Sequence, residues 1–203
     1  MRGVLLEYGI SLPRGAKVLS QHLPGLLEDA ENQLPMITRH LLGELKMKHD
    51  ELNTSIAMLE NQIKSWHQAT AVSQQLASIP GIGILTATAL AATIGDVKNF
   101  ANARQLSAYL GLVPRQHSSG GKEKLLGISK RGDGYVRCLL VHGARAVIRH
   151  IKRRLKNGQP GGNAWVEQCL HRMHVNEATV ALANKMARTA WALLAHNETW
   201  RAA

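Results

Sequence analysis

The chain has 203 residues, a formal net charge of +11 at neutral pH and a pI of about 10.1. Its 45% of hydrophobic residues argue against wholesale disorder, and its few aromatic residues, 4% in all, favour helices over strands. The basic excess favours a polyanionic partner (DNA, RNA or a membrane surface) over the alternative of a protein that is merely basic.

The cysteines and the apolar runs indicate in which cellular compartment the protein is expected. Cys138 and Cys169 lie far apart, without the spacing of a zinc module or a disulfide scaffold, which fits the reducing cytosol. The apolar N-terminus is interrupted by Glu7 and is a poor signal peptide. No apolar run reaches the ~20 residues that a membrane helix needs. We expect a cytoplasmic protein that has no membrane contact and binds no metal or other cofactor by itself.

The first region, residues 1–35, is predicted to be poorly defined. It contains three prolines and several glycines, and its hydrophobic pattern is weak. One short helix, over residues 16–31, is compatible with the pattern. The remainder of the chain is predicted to be mainly α, with only minor strand content.

The second region, residues 36–75, is predicted to be a long coiled-coil-like helix. Its apolar residues recur at alternating spacings of three and four, as in the a and d positions of a heptad seam. The a series is Leu42, His49, Ile56 and Ile63, and the d series is Leu45, Leu52, Leu59 and Trp66. The seam needs cover from a second copy or from another helix of the chain, and we favour a homo-oligomer formed through residues 42–66.

The third region, residues 76–203, is predicted to be a compact helical domain. Its opening segment "SIPGIGILTATALAATIG" contains Pro80, Gly81 and Gly83, which end one helix and begin the next. This helix-hairpin-helix-like turn would let backbone N–H groups approach a phosphate at a helix N-terminus. A tight turn between helices without a ligand is an equally good interpretation of the motif.

Three further helices and a glycine-rich loop are expected in this domain. A short helix follows in "FANARQLSAYLGL". Within the loop from Pro114 to about Gly134, the segment "KEKLLGISKRGDG" forms either a short hairpin or an irregular excursion. Helices over residues 134–156 and 176–195 complete the domain. The first of these has an apolar stripe on one face, so it can dock on a core and present its other face to solvent.

Positive charge is concentrated between residues 122 and 156. This segment contains eleven Lys or Arg residues, opposed only by Glu123 and Asp133. Charged surfaces usually mix both signs, so a row of one sign indicates contact with several phosphates. The residues of the segment that share one helix face are Arg137, Arg145, Arg149, Arg153 and Lys156.

The segment "RQHSSGGKEK" places Ser118 and Ser119 before two glycines. Ser-Ser-Gly-Gly is a common turn composition, and this is the ordinary interpretation. A serine hydroxyl is also a competent nucleophile toward a phosphodiester if basic groups hold the phosphate. The basic residues that flank the serines in sequence are Arg115, Lys122, Lys124, Lys130 and Arg131.

A family resemblance covers residues 76–195. The order of its motifs is Pro-Gly-x-Gly, Gly-Leu-x-Pro-Arg, Ser-Gly and Ser-Lys-x-Gly, followed by the closing helix "ALANKMARTAWALL". This order resembles the C-terminal domain of the insertion-sequence one-ten family of bacterial transposases, to which pilin-gene inverting recombinases are related. The resemblance implies a DNA recombinase for transposition, with DNA as partner and a guide RNA as a further candidate partner.

The resemblance also assigns roles to residues. A serine in the Ser-Gly step is the nucleophile proposed for the family, and Ser119 is its match here, with Ser118 one register away. The "GISKRG" segment, with Ser129, Lys130 and Arg131, is the second block and is expected to hold phosphate or an RNA backbone.

The chain departs from the family pattern at its N-terminal side. Full-length members resemble a ribonuclease-H-like fold with four acidic residues that bind magnesium, and residues 1–75 contain no such quartet. We therefore expect a truncated gene product, half of a split gene or a mis-started reading frame. Magnesium is expected only together with the missing acidic domain, and the chain alone is not expected to be active. The alternatives are a non-catalytic nucleic-acid-binding or regulatory module and an inert remnant.

Overall fold

The computed structural model describes residues 1–117 and 125–200 and is mainly α-helical, as predicted. The helices are α1 (Arg2–Glu7), α2 (Ala16–Glu28), α3 (Met36–Ala69), α4 (Ala71–Ala77), α5 (Ile84–Ile94), α6 (Ala103–Tyr109), α7 (Gly134–Lys156), α8 (Ala164–Arg172) and α9 (Val175–His196). A 3-10 turn lies at Val97–Asn99, and the strands are β1 (Pro114–Gln116) and β2 (Leu125–Ile128). Compactness divides the chain into Met1–Gln62 and Ile63–Ala203, which places the division inside α3 rather than at the expected residue 76.

Residues 1–35 contain two helices, the second close to the short helix that the pattern allowed over residues 16–31. Helices α1 and α2 lie within this segment, and α2 ends at Glu28 although it contains Pro24. A small apolar cluster is fully or nearly fully buried, and its members are Leu5, Leu23, Leu34 and Leu42.

Arg39 holds the irregular segment that joins α2 to α3. Its guanidinium donates hydrogen bonds to the carbonyl oxygens of Leu27 at 2.9 Å and Leu34 at 3.0 Å. It also donates to the carbonyl oxygens of Leu26 and Asn32, each at 3.2 Å. One planar side chain thereby satisfies backbone acceptors left without helical partners after α2.

Helix α3 ends at Ala69, before the end of the predicted range 36–75. Thr70 adopts an extended conformation, with φ −115° and ψ 105°, and α4 begins at the next residue. Along α3 every residue from 50 to 62 is exposed, so nothing else in the unit Met1–Gln62 covers these turns.

Helix α9 forms the centre of the second unit and packs against α7, α6, α4 and α8. Four of its small residues are almost completely buried, which lets the neighbouring backbones approach closely: Ala178, Ala183, Ala187 and Ala190. Leu182, Met186 and Leu193 of the same helix are also buried. Helix α8, which was not predicted separately, lies against α9.

Candidate nucleic-acid interface

Helix α7 begins and ends at the predicted residues, and its N-terminus is capped by Asp133. One carboxylate oxygen accepts hydrogen bonds from the backbone N–H groups of Tyr135 at 2.8 Å and Val136 at 3.0 Å. The other accepts a hydrogen bond from the Thr93 hydroxyl at 3.3 Å. The cap satisfies two free donors and at the same time ties the start of α7 to α5.

The apolar stripe of α7 is buried, and its opposite face is basic and exposed. The buried residues are Val136, Leu140, Ala144, Ile148 and Ile151. The exposed cations are Arg145, Arg149, Lys152, Arg153 and Lys156, which we call the basic row. In the described part of the chain no carboxylate forms an ion pair with any of them. The row is therefore available to an external anion.

Arg137 differs from the basic row although it shares its helical spacing. It is only half exposed, and its Nη1 atom donates hydrogen bonds to the carbonyl oxygens of Leu110 at 3.0 Å and Arg131 at 3.2 Å. This side chain therefore connects the first turn of α7 to the end of α6 and to the segment that follows β2. Its nucleic-acid-binding role stays a prediction, and a structural role is already evident.

The Pro-Gly-x-Gly turn packs on the middle of α7. Gly81 has φ +91°, and a Cβ at this position would lie 2.8 Å from the Val147 Cγ2 atom and 3.0 Å from the Gly143 carbonyl oxygen. A Cβ on Gly143 would in turn collide with the Gly81 carbonyl oxygen. Close packing between helices thus explains Gly81. Gly83 has open space around it and forms the N-cap of α5.

Two glycines hold the base of the β1–β2 hairpin against α6. Gly111 and Gly132 both have positive φ, and a Cβ on either would collide with a backbone oxygen, of Arg131 and Tyr109 respectively. Between them Lys130 adopts a left-handed conformation, with φ 57°, and its N–H donates a 3.1 Å hydrogen bond to the Gly111 carbonyl oxygen. The backbone of the "SKRGDG" segment is therefore held in one conformation, in which Lys130 and Arg131 are exposed.

The serines themselves lie outside the described residues, as do Lys122 and Lys124. The two strands that flank them pair antiparallel, with Pro114 opposite Ile128 and Gln116 opposite Leu125. Arg115 on β1 is exposed. The structure thus brings the segments that carry Arg115, Lys130, Arg131 and Arg137 together at the hairpin.

A groove of about 1230 Å³ was missed by the sequence analysis. Its floor is a face of α9 that includes Lys185 and Arg188, and Trp165 of α8 lines it as well. The hairpin contributes Pro114, Leu126, Ile128 and Lys130 to its lining. The sequence could have shown that Lys185 and Arg188 lie away from the buried face of α9. It does not show that the hairpin lies opposite them.

Comparison with known proteins gives the family. Residues 73–159 match the family model described as "Transposase IS116/IS110/IS902 family". The chain carries a transposase domain of this family. The matched range includes the Pro-Gly-x-Gly turn, the hairpin and the whole basic row, and the resemblance stated from the motifs is confirmed.

Relatives extend the similarity beyond this transposase domain. The transposase for insertion sequence element IS1111A of Coxiella burnetii is 44% identical over 99% of this chain and 54% of its own length. The transposase for IS1328 of Yersinia enterocolitica is 43% identical over 94% of this chain and 55% of its own length. The pilin gene-inverting protein of Moraxella lacunata is 41% identical over 32% of this chain and 22% of its own length. The chain spans about half the length of the two transposases.

The described residues contain neither a metal-binding cluster nor a membrane-spanning helix. Within 1–117 and 125–200, no group of three or more His, Cys, Asp or Glu side chains is arranged to hold a metal ion. The same part of the chain contains no helix with the length and apolar character needed to span a membrane.

Proposed function

We propose that this chain binds DNA through α7 and the hairpin, and contributes the serine nucleophile of a transposase reaction. The observation that carries the proposal is the basic row, whose members are exposed, of one sign and without ion pairs in the described residues. The transposase family match supplies the class of reaction. Counterion release from the phosphates would make such binding strongly dependent on salt.

The proposed chemistry is attack of the Ser119 hydroxyl on a DNA phosphodiester. The serine Oγ loses its proton and forms a bond to phosphorus, and the bond from phosphorus to one deoxyribose oxygen breaks. The released oxygen takes up a proton, so the step yields a serine–DNA phosphodiester and one free hydroxyl. Cations such as Arg115, Lys130 and Arg131 would stabilise the charge that develops on the phosphate.

We further propose that Ser119 acts with a separate acidic domain and is inactive without it. The described residues do not offer a metal-binding cluster, so the proposed attack by Ser119 uses no metal ion held by this chain. Magnesium, where present, would be held by the carboxylates of the acidic domain. A guide RNA is a further candidate partner for the same basic surface.

Self-association through α3 completes the proposal. Leu52 is 64% exposed, Ile56 53% and Leu59 58%, so these side chains of the predicted seam are open to solvent. A second copy that supplied the same seam would bury these side chains in a two-stranded coil.

DNA binding is tested by reversing charge on α7. The variant Arg145→Glu with Arg149→Glu should lose most of its affinity for duplex DNA, and the slope of log affinity against log salt should fall by about two. The matched control is Lys48→Glu with Lys64→Glu, which makes the same charge change at exposed positions of α3. Equal losses in both variants would show that net charge alone governs binding.

The nucleophile is tested in a reconstituted reaction with the acidic domain supplied separately. Wild-type protein should form a covalent adduct with DNA, Ser118→Ala should still form it, and Ser119→Ala should not. Peptide mapping of the adduct identifies the linked serine. An adduct that survives in Ser119→Ala removes this residue from the proposed chemistry.

A non-catalytic binding module is the second candidate, because the basic row involves no serine. It predicts salt-sensitive DNA binding that the charge reversal abolishes and Ser119→Ala leaves intact, without an adduct under any condition. Absence of measurable binding at physiological salt would instead favour an inert remnant.

A further inference from the structure

The groove on α9 has a composition that the proposed chemistry does not use. Its volume, about 1230 Å³, exceeds the roughly 300–1,000 Å³ typical of small-molecule pockets, so it suits a segment of polymer better than a metabolite. Its lining is mixed, with apolar side chains from the hairpin on one side and polar and charged side chains from α9 on the other.

The charge of the groove favours an anionic occupant. Lys130, Lys185 and Arg188 line it and are exposed, whereas Glu177 is the one acidic residue in the described lining. No ion pair between these cations and a carboxylate occurs in the described part of the chain. An anion in the groove would therefore meet cations that do not first have to break an ion pair.

Trp165 adds a flat aromatic surface to these cations. Its ring is half-buried, and the Lys185 Nζ atom lies over it, 4.3 Å from the ring centroid. A cation–π contact at an exposed site is weak compared with the stacking of a nucleobase on an aromatic ring. A base that stacks on Trp165 would displace the flexible Lys185 ammonium, which could then pair with a phosphate.

The position of the groove links it to the serine segment. Pro114 of β1 and Leu126 and Ile128 of β2 form part of its wall, and the serines lie between these two strands in sequence. Lys130 at the base of the same hairpin also lines the groove, and its backbone is held by Gly111. A strand in the groove would therefore run beside the hairpin that carries the proposed nucleophile.

We propose that this groove binds an unpaired strand of DNA, with a base stacked on Trp165 and phosphates held by Lys130, Lys185 and Arg188. Aromatic platforms combined with cations are the usual means of holding single strands, and a paired base could not present its face to the ring. The proposal deepens the proposed function and rests on it in one respect, that DNA is the substrate.

The experiment measures the affinity for a fluorescein-labelled oligothymidylate and for a labelled duplex by fluorescence anisotropy. Trp165→Leu keeps an apolar side chain against the core but removes the stacking surface, and it should lower single-strand affinity about tenfold while leaving duplex affinity unchanged. Trp165→Phe should recover part of the loss. Tyr8→Leu, which alters an exposed aromatic side chain outside the groove, is the control and should change neither affinity.

The cations are tested in the same assay. Lys185→Gln with Arg188→Gln should weaken single-strand binding and reduce its salt dependence by up to about two in slope, less for any contact that a water mediates. Lys48→Gln with Lys64→Gln provides the matched control. Unchanged single-strand affinity in both groove variants, Trp165→Leu and this double variant, would overturn the proposal and leave an apolar protein segment as the better occupant.

A cross-linking measurement on the unaltered protein does not depend on how the variants fold. Ultraviolet irradiation with an oligonucleotide that contains 5-iodouracil should link the base to the peptide that contains Trp165. Cross-links confined to peptides of α7 would contradict the proposal.

The two proposals fail in different ways. If duplex DNA does not bind, or binds without regard to Arg145 and Arg149, the proposed function fails whatever Trp165 does. If the α7 charge reversal abolishes duplex binding and Trp165→Leu has no effect on the single strand, only the groove assignment fails.

Discussion

Helices α3 and α7 are both long and amphipathic, yet among the described residues only α7 has its apolar stripe buried along its length. In α7 the apolar stripe packs against α9 and α5, and residues such as Leu140 and Ala144 are completely buried. In α3 the corresponding residues of the seam remain open, with Leu52 64% and Leu59 58% exposed. The comparison shows that a periodic apolar pattern predicts a helix, but does not indicate whether its partner lies in the same chain.

The two glycines inside these helices show the same contrast. Gly143 of α7 lies where the Pro-Gly-x-Gly turn crosses the helix, and a side chain there would meet the Gly81 backbone. Gly43 of α3 has nothing within 4 Å of the position of a Cβ. One glycine is required by packing, whereas the other only adds conformational entropy to the unfolded chain.

The largest expected effect comes from truncating a buried leucine of α7, and an exposed leucine of α3 provides the comparison. Leu140→Ala should lower the free energy of unfolding by about 2–5 kcal/mol, since it leaves a cavity in the core between helices. Leu52→Ala should change it by no more than about 0.5 kcal/mol at concentrations where the chain is monomeric. Urea denaturation followed by circular dichroism measures both values.

The same pair of leucines tests self-association. Sedimentation of the wild type at increasing concentration should show an oligomer that Leu52→Ala weakens. An oligomer that is insensitive to Leu52→Ala and to Ile56→Ala would mean that another surface joins the copies, and the contrast between the two helices would then need a different explanation.

The second prediction concerns the two glycines. The expected changes in the free energy of unfolding are intermediate in size and opposite in sign in the two helices. Gly143→Ala should destabilise the protein by about 1–3 kcal/mol, because the added methyl group forces the Gly81 turn away from α7. Gly43→Ala should stabilise it by about 0.5–1 kcal/mol, as expected for alanine in place of glycine inside an uncrowded helix. Thermal unfolding of both variants, compared with the wild type, provides the measurement.

A destabilising Gly43→Ala would contradict this view of α3, because it would reveal a neighbour that crowds the position. An innocuous Gly143→Ala would show that the turn on α7 adapts at little cost.

The smallest effect concerns the pair formed by the half-buried Lys46 and the exposed Asp50 on α3. The hydrogen bond from Lys46 holds the pKa of Asp50 below the usual aspartate value, and His49 acts in the same direction. Because the folded pKa is lowered, the pair contributes to helix stability above the unfolded pKa, and that contribution disappears as the pH falls through the folded pKa.

An NMR titration of the Asp50 carboxyl group checks this prediction. Lys46→Gln should raise the pKa of Asp50 toward its usual value, whereas Lys48→Gln should leave it unchanged, because residues two positions apart do not face each other on a helix. The same shift in both variants would indicate a general charge effect rather than this contact.

Several elements were predictable because their signals are local. The bounds of α7 follow from Asp133 as a cap, from the regular apolar stripe and from Asn157 and Gly158 after the last turn. A hairpin within "KEKLLGISKRGDG" was one of two interpretations, but strand β2 of this segment pairs instead with β1, which lies before it in the chain. Thr70, which separates α3 from α4, carries no comparable signal, so the predicted helix continued past it.

Other features depend on contacts between residues distant in sequence. Arg39 stabilises the segment after α2 through carbonyl groups that no periodicity reveals, which is why residues 1–35 seemed to lack structure. Arg137 has the spacing of the basic row, but the carbonyl groups of Leu110 and Arg131 come within its reach only in the folded chain.

The sequence by itself determined the helical class, the family and the face of α7 that carries its cations, because periodicity, motif order and charge are properties of neighbouring residues. Only the tertiary structure decided that Gly81 serves packing against Gly143, and that Trp165 joins Lys130, Lys185 and Arg188 around one groove. The physical reason is that packing brings together side chains from α8, α9 and the hairpin. The number of residues between them in the sequence does not indicate how far apart they lie in the folded chain.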